Sequence, residues 1–120
     1  MNSPNSHRRV QLRRAKGWRM PENTVKVARP TKWGNPYTIM EWGLPLALEL
    51  YKRSVQGFWS ATGIPDQKVA RAYALHCAFQ ERMGGLEEIW TLRGKNLACF
   101  CRVDQWCHAD ILLELANDSR

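Results

Sequence analysis

The chain has 120 residues, 44% of them hydrophobic and 24% charged, which suits one globular domain with its own core and excludes wholesale disorder. No run approaches the roughly 18 apolar residues a membrane-spanning helix needs, and Met1–His7 lacks the apolar stretch of a secretory signal, so a cytoplasmic protein with no membrane partner is expected. The net charge of +7 is concentrated before Gly34, where nine Lys and Arg stand against Glu22 alone; this points to an anionic partner, the alternative being a solvated basic tail.

Residues 1–8 are expected to be a disordered basic tail, leaving a single domain over 9–117. Arg9–Arg13 alternates apolar and polar residues as a short strand does, and Thr24–Ala28 is a second, β-branched strand ended by Arg29-Pro30. Trp33-Gly34-Asn35-Pro36-Tyr37 is a turn whose two aromatics could clamp it onto the core. Pro45 sits where a helix tolerates it, and Leu44, Ala47, Leu48, Tyr51 and Val55 recur at helical spacing, which predicts a helix over 45–56.

Asp66 is placed to cap a second helix over 66–83, with Val69, Ala72, Tyr73, His76 and Phe79 as its stripe and Gly84-Gly85 as its stop. Cys77 and His76 are assigned to core packing. Leu86–Leu92 forms a short amphipathic turn or helix, Leu97–Cys101 is the strongest strand signal, and 108–117 carries the last helix. The order β-β-α-α-β-α predicts a small α/β or α+β domain, with a short sheet centred near 97–101 and covered by the helices at 45–56 and 66–83.

Three of the four cysteines crowd into the pattern C-x-C-x5-C-H. Alternation puts Cys99 and Cys101 on one face of their strand, and the chain returns Cys107 and His108 at the start of the last helix. Without an export signal, such a cluster suits metal binding or catalysis better than a disulfide framework. Three readings stay open. Cys99, Cys101, Cys107 and His108 are the metal ligands, with zinc the expected ion. Alternatively Cys107 is a thiolate activated by the helix N-terminus, with His108 or Asp110 handling protons. In the third, the cysteines simply pack and His108 is a core histidine bonded to backbone.

A second candidate site lies in Arg29-Pro30-Thr31-Lys32-Trp33-Gly34-Asn35-Pro36. Arg29 and Lys32 offer cations for phosphate, Trp33 a ring for stacking and Asn35 an amide for a base edge, against the alternative of a purely structural turn. No P-loop, G-x-G-x-x-G, G-x-S-x-G or H-E-x-x-H pattern is present.

The pair of motifs Arg29-Pro30-x-x-Trp33-Gly34-Asn35-Pro36 and Leu97-x-Cys99-x-Cys101…Cys107-His108-x-Asp110-x-Leu112 resembles a family of uncharacterised small bacterial and phage proteins, a domain of unknown function, over roughly residues 9–117. The resemblance implies a cytoplasmic, often phage- or prophage-borne α/β protein, and it names no reaction. Three functions compete: a small enzyme acting on a nucleotide or nucleic acid through the Cys/His/Asp cluster; a non-catalytic nucleic-acid-binding module with a structural metal; and a phage-borne inhibitor of a host protein.

Overall fold

The computed structural model describes residues 8–102 and 105–117. Three short strands, β1 (Arg9–Gln11), β2 (Thr24–Lys26) and β3 (Asn96–Cys99), form a parallel sheet in the order β1-β3-β2. Arg9 stands opposite Leu97 and Gln11 opposite Cys99 on one side, and Thr24 opposite Asn96 on the other. The ladders run on past the strands, where the Leu12 N–H donates to the Cys99 carbonyl at 2.7 Å and the Val27 N–H to the Ala98 carbonyl at 2.9 Å.

All four residues of β3 are buried, as a strand covered on both faces requires, and this is the central strand the apolar run predicts. It starts one residue earlier than expected and ends at Cys99, so Phe100 and Cys101 leave the ladder and turn. Asn96 is a buried polar residue with its side chain satisfied: Oδ1 accepts the Arg8 N–H at 3.1 Å. Arg8, the last residue of the expected tail, is thus bonded to the start of β3, and residues 1–7 lie outside the described residues.

Four helices follow: α1 (Ile39–Trp42), α2 (Leu44–Gln56), α3 (Val69–Met83) and α4 (His108–Ala116). The single turn α1 departs from the expected order. Thr38 caps it, Oγ1 accepting the Glu41 N–H at 3.2 Å, and four residues are too few for a periodic signal. α2 is opened by Gly43 and Pro45 and closed by Gly57 at φ 73°, and its inner face is Ala47, Leu50, Tyr51, Ser54 and Val55. Leu44 and Leu48, part of the expected stripe, sit half-buried at its border.

Asp66 does not cap α3. It opens a 3-10 turn, Asp66–Lys68, whose N-cap is Pro65, and no side chain caps either start. The buried stripe of α3 is Ala72, His76, Phe79 and Met83; Tyr73 is half exposed, and Cys77, expected in the core, is exposed one position away from it. Leu86–Leu92 is a 3-10 helix.

α4 packs on β3 and β1 and on α2, and α2 packs on α3, so the last helix lies against the sheet more closely than the two helices expected to cover it. Leu50, Leu97 and Leu112 are buried completely or nearly so, each contributing about 1.5–3 kcal/mol. No helix among the described residues is long and apolar enough to cross a membrane.

Candidate metal centre

The three parallel strands all point their carboxyl ends the same way, and the central strand has one neighbour on each side. In open parallel sheets that end is where ligands bind. Here it receives Arg14 after β1, Ala28 and Arg29 after β2, and Cys99 to Cys101 at the end of β3.

The turn after β2 is held by short-range bonds. Thr31 caps it, with its N–H and Oγ1 both donating to the Ala28 carbonyl at 2.9 and 2.7 Å, and the Gly34 N–H donates to the Thr31 carbonyl at 3.0 Å. Gly34 passes so close to Arg29 that an added Cβ would lie 2.6 Å from Arg29 Cγ and 2.9 Å from its Cα, so only glycine fits. Asn35 Oδ1 accepts the Tyr37 N–H at 2.8 Å, which leaves the Nδ2 amide as the group Asn35 offers to a ligand. Trp33 and Tyr37 are buried, as the clamped turn predicts; Tyr51 donates its hydroxyl to the Trp33 carbonyl at 2.5 Å.

The sulfurs of Cys99, Cys101 and Cys107 lie within 4.8 Å of one another and could hold a metal ion. Cys99 and Cys101 are 3.7 Å apart at Sγ. His108 Nδ1 is 3.5 Å from Cys107 Sγ and 4.0 Å from Cys99 Sγ. His108 is buried, and its Nε2 sits 2.8 Å from the Val27 carbonyl, which accepts a proton from that nitrogen and so fixes Nδ1 as the lone-pair side facing the sulfurs.

Cys107 is the N-cap of α4. Its sulfur accepts the Ala109 N–H at 3.5 Å, and Asp110 reaches back so that Oδ2 accepts the Cys107 N–H at 3.2 Å. Asp110 thus caps the helix and pairs with Arg9 at 2.8 Å; it is a positioning group for Cys107.

Proton sharing among the sulfurs is unequal. The Cys99 thiol is held well below the ordinary thiol range, chiefly by the hydrogen bond it receives from Cys107. Cys107 is pushed up, chiefly because it gives its hydrogen bond to Cys99 and then by burial; the Ala109 N–H at the helix start lowers it by less. Burial also raises Cys101.

Cys99, Cys101, Cys107 and His108 line a cavity of about 280 Å³ together with Arg29 and Asn35 of the turn. The two motifs, some 70 residues apart in the chain, thus face one space. Lys32 and Trp33 lie elsewhere: Lys32 pairs with Glu88 at 2.8 Å, and Trp33, 4% exposed, is core.

Three contributors carry no motif in the sequence. Arg14 lines the cavity with its guanidinium 4.0 Å over the Phe100 ring. Trp106 lines it with a ring that is 74% exposed. Arg9, its side chain 6% exposed, donates to the Gln105 carbonyl at 2.7 Å and to the Arg102 carbonyl, tying the segment between the cysteines to β1. Only the concentration of bases before Gly34 signalled Arg9 and Arg14, and it did not single them out.

No curated protein and no solved structure matches this chain. Residues 10–118 match the family described as a domain of unknown function, DUF4326, and the chain belongs to that family.

Proposed function

We propose that the chain is a nucleotide-binding protein whose cavity has a zinc floor, on Cys99, Cys101, Cys107 and His108 Nδ1, and a phosphate wall made by Arg14, Arg29 and Asn35. The observation that carries this reading is the single cavity lined by both groups.

The dimensions of the cluster support zinc. With bonds of about 2.3 Å to sulfur and 2.0–2.1 Å to nitrogen, a tetrahedron has edges of about 3.8 Å between sulfurs and 3.6 Å between sulfur and nitrogen. The distances here are 3.7 Å from Cys99 to Cys101, 3.5 Å from His108 to Cys107 and 4.0 Å from His108 to Cys99; the three sulfurs lie within 4.8 Å of one another, whereas His108 Nδ1 is not that close to Cys101 and would have to move toward it to complete the tetrahedron. The supporting contacts are also those of a ligand set: His108 bonds a carbonyl through its other nitrogen, and Cys107 accepts a backbone N–H.

A Cys3His set closes the coordination sphere, so the metal would serve structure and electrostatics. When bound, zinc cross-links the end of β3 to the start of α4 and offsets two of the three thiolate charges beside the phosphate wall. Arg14 and Arg29 then supply forked donors to phosphate oxygens, and the Asn35 amide adds a neutral donor.

Titration with ribose 5-phosphate tests this reading. Zinc-loaded protein should bind it, Arg29→Ala and Arg14→Ala should each weaken binding about tenfold or more, and chelation of the metal should weaken it as well. Binding that is unchanged in both variants would contradict the reading.

A second reading has its own observation. The lowered Cys99 thiol beside His108, open to the same cavity, is the arrangement of a nucleophilic thiolate in an enzyme acting on a nucleotide or nucleic acid. Protein purified without metal, in which iodoacetamide modifies Cys99 well below pH 7 with loss of function, would favour it.

A further inference from the structure

The cavity does not end at the phosphate wall. A second space of about 460 Å³ adjoins it, and Leu44, Leu48 and Trp106 line both. Its own walls are Pro45 and Ile111, with Glu49 and Glu114 also facing it. A phosphate group does not need this space. Taken alone, the first cavity is slightly below the 300–1,000 Å³ of small-molecule sites, whereas the two together lie inside that range.

The shape of this second space selects the rest of the ligand. Aliphatic side chains from α2 and α4 make a floor, and the Trp106 indole stands beside it with most of its ring open to solvent. A flat aromatic group slipping against that indole gains stacking and apolar burial. Glu114 can accept hydrogen bonds from ring N–H and exocyclic amino groups, as carboxylates do from bases, and Glu49, whose Oε2 accepts from Arg53 at 3.0 Å, has its other oxygen for the same use. They also set the direction of charge. The cations Arg14 and Arg29 line only the first space, while two carboxylates and one lysine, Lys52, line the second. Glu49 pairs with Arg53 at 3.0 Å, so the second half has no surplus of cations for a continuous phosphate backbone crossing both. A molecule with phosphate at one end and a neutral aromatic base at the other meets complementary surroundings at each end.

We infer that the groove of Leu44, Pro45, Leu48, Ile111 and Trp106 is the base subsite of a nucleoside monophosphate, with Trp106 as the stacking residue. This inference rests on the phosphate reading of the first cavity. It gives the stacking role foreseen for an aromatic on the basic turn to Trp106, since Trp33 is core.

The test compares AMP, GMP, CMP and UMP with ribose 5-phosphate, on the intact zinc-loaded protein and on Trp106→Ala. At least one nucleotide should bind about ten- to a hundredfold more tightly than the sugar phosphate, the range that base stacking supplies. Trp106→Ala should erase most of that advantage, weakening the nucleotide far more than ribose 5-phosphate, and Trp106→Phe should restore much of it. Equal affinity for nucleotides and ribose 5-phosphate in the intact protein would overturn the base subsite and leave the phosphate wall standing. An advantage that survives Trp106→Ala would overturn the stacking role. Absence of binding by every phosphate compound would instead remove the phosphate reading, and the base subsite with it. A single-stranded oligonucleotide that binds more tightly than every mononucleotide, through Trp106, would contradict the inference in favour of nucleic acid.

Discussion

His108 and His76 show how two buried histidines take different tasks from their surroundings. His108 has one nitrogen on a carbonyl and the other toward sulfur, which suits a ligand. His76 has Nδ1 3.1 Å from Ser54 Oγ, Ser54 is 2.9 Å from the Tyr37 hydroxyl, and the Trp59 and Tyr73 rings lie against it. Burial lowers the His76 pKa below its usual value. The unfolded chain therefore binds a proton at His76 that the folded chain resists, so this histidine costs no stability well above about pH 6.5 and costs progressively more as pH falls from there toward the lower folded value, below which the cost stays constant. Urea unfolding at pH 7.5 and pH 5.0 should show a larger acid-induced loss for the intact chain than for His76→Gln. Equal losses would remove His76 as the titrating group.

At the scale of elements, the decisive device is the join between β1 and the segment leading into α4. Arg9 leaves a strand, yet its guanidinium reaches the Gln105 and Arg102 carbonyls and Asp110, which in turn accepts the Cys107 N–H. Arg9→Met keeps the apolar stem and removes those donors. It should weaken metal affinity about 10- to 100-fold, the usual effect of losing a group that orients a ligand, while the circular dichroism of the helices is retained. Unchanged metal affinity in a competition titration with a chelator would show that the loop holds its place without Arg9.

The elements themselves were legible in the sequence to different degrees. β3 declared itself because a central parallel strand is apolar throughout, and α2 because Pro45 and its stripe mark one start and one face. α1 and the uncapped start of α3 did not, since a single turn has no period and Asp66 spends its place in a 3-10 turn. The closeness of Cys99, Cys101 and Cys107 followed from strand alternation and a helix start, while His108 stands beside Cys107 and Cys99. That Arg29 and Asn35 face the same cavity while Lys32 and Trp33 do not depends on how the turn lies against the sheet, which local pattern does not specify. Arg14 and Trp106 are placed by tertiary structure alone.

Across the whole molecule, a parallel sheet of three short strands brings three loop ends to one edge, and the Cys/His cluster joins two of the elements that form it. The basic surplus of the first 33 residues enters the cavity through Arg14 and Arg29. The zinc proposed on Cys99, Cys101, Cys107 and His108 is the feature on which the cavity's chemistry depends. X-ray absorption at the zinc edge of the purified protein measures it directly: one zinc per chain with three sulfurs at about 2.3 Å and one nitrogen at 2.0–2.1 Å is the predicted result. A zinc shell of oxygen and nitrogen alone, or protein that carries no zinc when purified and takes up none when it is offered, would contradict it.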